Sequence, residues 1–110
     1  MKTVISERRF RNRLVKTLSP LRGNFNSVIG KGRSGAVSAV YASHFLRVPF
    51  FYYRKDIEIP KKLLPILIVD TAKYRGETLR KLDRRIPHPH GIVYFYNEPP
   101  IVKFWYEVFK

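Results

Sequence analysis

The sequence predicts an α/β domain in which a mainly parallel sheet is flanked by helices. Apolar residues at helical spacing alternate along the chain with short β-branched or aromatic runs, the alternation of βαβ units. The run Leu63 to Val69 is apolar throughout, as expected of a strand covered on both faces. Two glycine-containing segments, Gly30 to Gly35 and Asp70 to Thr78, stand between a strand and a helix. With 110 residues the chain suits one domain, a basic helix over 1–20 followed by a core over 25–110.

Val4 to Leu18 predicts the first helix, since Phe10, Leu14 and Leu18 recur every four residues and so form one apolar stripe. Ser19-Pro20 ends it, because proline lacks the donor and restricts the residue before it. Phe25 to Ile29 predicts a short strand, Gly30 to Gly35 a loop, and Ala36 to Leu46 a helix with Val37, Val40, Tyr41 and Phe45 on one side. Val48 to Tyr53 is β-branched and aromatic, hence a strand. After the strand Leu63 to Val69, a helix is expected from about Gly76 to Ile86, with Leu79, Leu82 and Ile86 inward. Ile92 to Tyr96 and Ile101 to Phe109 predict two closing strands around Asn97-Glu98-Pro99-Pro100.

Composition narrows the chemistry. A formal net charge of +14, from 22 Lys+Arg against 8 Asp+Glu, attracts polyanions and makes their binding salt-sensitive. There is no cysteine, which removes disulfides, thiolate nucleophiles and cysteine zinc sites. No metal site is expected. His88 and His90, between prolines, read as solvated loop residues, and His44 lies on a helix. Met1 to Lys16 is basic without an apolar core of signal-peptide length, and no apolar run reaches membrane-spanning length, so a cytoplasmic protein with no membrane partner is the expectation.

The chemistry concentrates at Ile66-Leu67-Ile68-Val69-Asp70-Thr71-Ala72-Lys73-Tyr74-Arg75-Gly76-Glu77-Thr78. An apolar strand delivers a carboxylate to a glycine-containing loop that opens a helix. Such a junction can hold sugar hydroxyls and a phosphate together, the anion on free backbone N–H groups. A phosphorylated ribose fits it. Gly30, Gly32 and Gly35 also have the spacing of a dinucleotide-binding loop, but Tyr53-Arg54-Lys55 stands where the acidic residue of that motif would close the next strand.

This segment resembles the signature of the type I phosphoribosyltransferases: four apolar residues, two acidic, three variable, then Thr-Gly-x-Thr. The alignment is gapless from Ile66 to Thr78. Upstream, Val28-Ile29-Gly30-Lys31-Gly32-Arg33-Ser34-Gly35 is similar to the family's first strand and pyrophosphate loop, and Val48-Pro49 to Arg54-Lys55 to the next strand. Phe104-Trp105-Tyr106-Glu107 is loosely similar to the aromatic ending of purine-type members. The likeness spans about residues 25 to 110.

The resemblance implies a compact three-layer, Rossmann-like fold and a protein that binds phosphoribosyl pyrophosphate (PRPP) or a ribose 5-phosphate nucleotide. It further implies phosphoribosyl transfer to a purine-like base, Mg²⁺ entering with PRPP, and a homodimer. By the same resemblance Asp70 would be the catalytic carboxylate on a ribose hydroxyl. Asp70, Thr71, Ala72, Lys73, Tyr74, Arg75, Gly76, Glu77 and Thr78 would bind the ribose and 5-phosphate, and Lys31, Gly32, Arg33, Ser34 and Gly35 the pyrophosphate. Trp105 is assigned to stacking on the base, with Tyr106 the neighbouring alternative and core packing the competing role for either ring.

The sequence also departs from the family. Thr71 replaces the second acidic residue and Arg75 the first threonine, and only Asp56 to Lys62 stand where the family carries a longer closing loop. A catalytically degenerate phosphoribosyltransferase fold that binds nucleic acid or protein is the alternative. Arg8, Arg9, Arg11, Arg13 and Lys16 on the first helix, and Lys73, Arg75, Arg80, Lys81, Arg84 and Arg85 around the third, would supply a phosphate-tracking surface, with Tyr52, Tyr53, Tyr94 and Tyr96 as stacking platforms.

Overall fold

The apolar runs become strands in the computed structural model, which describes residues 3–72, 86, 89–96 and 102–107. In chain order these form strand β1 (Thr3–Ile5), helix α1 (Glu7–Leu18), a 3₁₀ turn (Ser19–Leu21), β2 (Ser27–Gly30) and α2 (Gly32–Leu46). Then come β3 (Phe50–Tyr52), a 3₁₀ turn (Lys61–Leu63), β4 (Ile66–Ala72), β5 (His90–Tyr96), β6 (Val102–Phe104) and a last 3₁₀ turn (Trp105–Glu107). The main sheet has the order β3-β2-β4-β5, and each neighbouring pair is parallel. β1 and β6 form a separate parallel pair.

β4 is buried on both faces because successive side chains point to opposite sides. Ile66 and Ile68 join Ile29, Tyr53, Ile59 and Ile86. Leu67 and Val69 join Val28, Phe95, Ala39 and Ala42 of α2, and Phe10, Leu14 and Leu18 of α1. The helices cover this second face because α1 turns its four-residue stripe inward, while small residues on α2 let it approach the sheet closely. Phe10 is the hub. Its fully buried ring meets Tyr41, Phe95 and Phe104 edge-on at centroid distances of 5.5–6.0 Å and also touches Trp105.

Several boundaries differ from the sequence expectation. α1 starts after Ser6, whose Oγ accepts the Arg9 N–H at 3.2 Å, so Thr3–Ile5 is released to pair with β6. Most of the expected Gly30–Gly35 loop is the first turn of α2. The closing strand stops at Phe104, where the backbone N–H donates to Glu107 Oε1 at 2.9 Å and the chain coils into a 3₁₀ turn. β3 is shorter than Val48 to Tyr53, and β4 begins after Pro65 instead of at Leu63. The expected helix over 76–86 lies outside the described residues except for Ile86, which is buried.

Candidate functional site

The strand order reverses at β2 and β4. The chain leaves β2 through α2 toward β3 on one side, whereas β5 adds to β4 on the other. In open parallel sheets this reversal leaves a crevice beyond the carboxyl ends of the two strands. Ser27, Val28 and Ile29 pair with Ile66, Leu67 and Ile68, so the same register carries Lys31 to the level of Asp70. The two segments singled out from sequence therefore meet at one end of the sheet.

Glycine is required at β2–α2 for two different reasons. A Cβ on Gly30 would run into the Gly35 carbonyl, because the first turn of α2 rests directly on the end of β2. Gly32 has φ +74°, a conformation that side-chain-bearing residues adopt at a cost. Together they bring the start of α2 over the sheet with Lys31 as its N-cap and no side chain capping it. The N-terminal turn of a helix presents N–H groups and a partial positive charge to anions. Lys31 and Arg33 are exposed there, and Lys31 Nζ lies 5.5 Å from the centre of the Tyr53 ring.

Asp70 follows Ile68 by two residues and so projects from the same face of β4. It is partly buried, and its Oδ1 accepts the Thr71 backbone N–H at 2.7 Å. Burial raises its carboxyl to about 6, against the opposing pull of hydrogen bonds from the Thr71 backbone and side chain. Thr71 projects to the opposite face and is only 2% exposed. Its side chain lies near the Tyr106 hydroxyl, which donates to Ser34 Oγ at 2.8 Å. The tyrosine thus ties the C-terminal turn to the first turn of α2, beside the end of β4.

Of the sequence-assigned residues, Asp70, Thr71, Ala72 and Lys31 through Gly35 converge, but Thr71 and Ser34 spend their side chains internally and Gly35 is buried. Trp105 packs against Phe10, Tyr41 and Tyr106. Lys73, Tyr74, Arg75, Gly76, Glu77 and Thr78 lie outside the described residues, as do Arg80, Lys81, Arg84 and Arg85. The Tyr106 hydroxyl was not foreseen as a link, since an aromatic run signals ring packing and gives no clue to the hydroxyl's partner. No cluster of three or more His, Asp or Glu suited to a metal occurs among the described residues, and none of their helices is long and apolar enough to cross a membrane.

Within the expected basic surface, Arg11 pairs with Glu7 at 3.6 Å. Arg13 reaches the Phe95 carbonyl and lies 4.6 Å from the Tyr96 ring centre. Arg8, Arg9 and Lys16 are exposed.

No protein-family model matches the sequence, and no curated protein does. Solved structures do match in fold. The purine phosphoribosyltransferase of Pyrococcus horikoshii superposes with a TM-score of 0.78 at 18% identity, covering 99% of this chain and 95% of that one. The xanthine-guanine-hypoxanthine phosphoribosyltransferase of Helicobacter pylori gives 0.75 at 17% identity, with coverage of 98% and 93%. A Neisseria gonorrhoeae hypothetical protein with bound ppGpp gives 0.68 at 14% identity, covering 100% of this chain and 92% of that one. The chain has the fold of the purine phosphoribosyltransferases.

Proposed function

We propose that the chain binds PRPP or a ribose 5-phosphate nucleotide at the ends of β2 and β4 and transfers phosphoribosyl to a purine-like base. The observation that carries this reading is the meeting of Asp70 with the uncapped start of α2 at the strand-order reversal, in a fold similar to purine phosphoribosyltransferases. The neighbour with bound ppGpp supports a nucleotide ligand.

Ionised Asp70 accepts a ribose hydroxyl, which fixes the sugar. The α2 N–H groups, Lys31 and Arg33 neutralise the pyrophosphate, while Ala72 and the following Lys73, Tyr74, Arg75, Gly76, Glu77 and Thr78 take the 5-phosphate. A base nitrogen forms the new bond to ribose C1, the C1–O bond breaks with its electron pair leaving on pyrophosphate, and the nitrogen's proton passes to water. The protein's contribution is orientation and charge stabilisation. One carboxylate suits Mg²⁺, which binds through one or two carboxylates plus substrate phosphates. Asp70 would hold it through water, and the ion would supply positive charge to the pyrophosphate oxygens.

Nuclear magnetic resonance titration with ribose 5-phosphate tests binding. Amides of Lys31 to Gly35 and Asp70 to Ala72 should shift more than they do with inorganic phosphate; identical responses to both ligands would refute a sugar site. Base-dependent pyrophosphate release from PRPP tests transfer, and its absence across purines, pyrimidines and nicotinate would remove the catalytic half of the proposal.

A further inference from the structure

A second surface lies along the outer edge of the sheet, on β3, one strand removed from Asp70 on β4. Among the described residues β3 pairs on one side only, with β2. Phe51 faces the buried Ile29 cluster, so Phe50 and Tyr52 share the opposite side of the strand. They are 47% and 52% exposed, whereas Tyr53 and Tyr96 are buried. Of the aromatic platforms expected from sequence, Tyr52 is therefore presented outward, and Phe50 joins it. Two strand residues span about 6.6 Å, twice the ~3.4 Å rise per nucleotide of a stacked strand. The rings can receive bases spread from such a stack.

Cations flank the rings along the chain. Arg47 precedes them, held at φ 58° as the C-cap of α2, and Arg54 and Lys55 follow; all three are exposed. Arg54 and Lys55 also line a depression of about 600 Å³ with Phe51, Asp56, Ile57 and Glu58. Aromatic faces beside a basic track suit single-stranded nucleic acid, whose bases are free to stack and whose phosphates seek cations. A duplex keeps its base faces inside. A second copy of this chain would bring another +14 charge to the same edge.

We infer that the β3 edge is a binding site for single-stranded nucleic acid, with bases on Phe50 and Tyr52 and phosphates on Arg47, Arg54 and Lys55. The site is independent of Asp70.

The test is fluorescence anisotropy of a labelled ten-nucleotide oligouridine with the full chain over a salt series, alongside a blunt duplex and light scattering. Phe50→Leu/Tyr52→Leu keeps apolar side chains but removes both π-faces, and should weaken binding by about tenfold or more. Arg54→Gln/Lys55→Gln should lower the salt slope by roughly 1.4, two phosphate contacts on a single strand. Both variants should retain the wild-type response to ribose 5-phosphate. Unchanged oligouridine affinity in the leucine variant, or a duplex bound as tightly as the single strand, would overturn the inference. A wild-type dimer that the leucine variant splits into monomers would also overturn it, making this face a contact between copies.

Discussion

The Tyr106 hydroxyl donates to Ser34 Oγ at 2.8 Å, linking residues 72 positions apart and tying the C-terminal turn to the start of α2. The buried Thr71 side chain lies beside this bond. Removing the hydroxyl leaves Ser34 short of its donor, a cost of about 1–2 kcal/mol. Tyr106→Phe should therefore lower stability by that amount in urea denaturation. Combined with Ser34→Ala it should lose less than the sum of the two single variants, since both break the same bond.

Asp70 gives stability an unusual pH dependence. Its carboxyl is raised by burial from 3.8 to about 6, so the folded state binds its proton more tightly than the unfolded state does. The contribution is fully present below about pH 4 and is lost as pH rises through about 6. Asp70→Asn, which can keep the acceptor for Thr71 N–H, should be more stable than wild type at pH 7.5, on the order of 2 kcal/mol. The advantage should vanish near pH 4. Denaturant midpoints across this range check it; an equal advantage at both ends would rule out the ionisation.

The same ionisation governs the proposed ligand site. A carboxylate accepts a ribose hydroxyl better than a neutral acid does, so ribose 5-phosphate affinity should fall as pH drops from 7 to 5 in wild type. In Asp70→Asn it should fall less, leaving only the change contributed by the phosphate's own titration. Parallel curves for the two proteins would separate Asp70 from the sugar.

Gly30 and Gly32 should respond differently to alanine. Gly30→Ala sets a Cβ against the Gly35 backbone, which must move α2 off the sheet, at about 3 kcal/mol or more. Gly32→Ala meets nothing within 4 Å but inherits φ +74°, a strain of about 1–2 kcal/mol. Urea midpoints should rank wild type, Gly32→Ala and Gly30→Ala in falling order.

Elements whose neighbours in space are also neighbours in pattern were legible in the sequence. The Ile66–Val69 run can be apolar on both faces only where two layers cover it, and the four-residue stripe of α1 fixed its inward side. β1 was hidden because three residues cannot declare a partner about 100 positions away, and Val4 extends the apparent helix. Ser6 carried the start signal, as a residue suited to N-capping. The closing strand was overextended because Trp105 and Tyr106 favour strands by type, while the Glu107 side chain takes a backbone donor and ends the ladder. At the site, sequence brought Asp70 and Lys31 to one place. It could not tell that Thr71 faces inward, since that depends on which side of β4 α2 covers.

A sugar-phosphate site that depends on Asp70 should tell PRPP from pyrophosphate. The deciding measurement is calorimetric titration of Mg²⁺ with PRPP, and separately with pyrophosphate, into wild type and Asp70→Asn at physiological salt. Wild type should bind PRPP at least about tenfold tighter than pyrophosphate, a preference worth about 1.4 kcal/mol, and Asp70→Asn should lose it. Equal binding of both ligands, unchanged by the substitution, would contradict the account and leave only a basic surface that attracts polyanions.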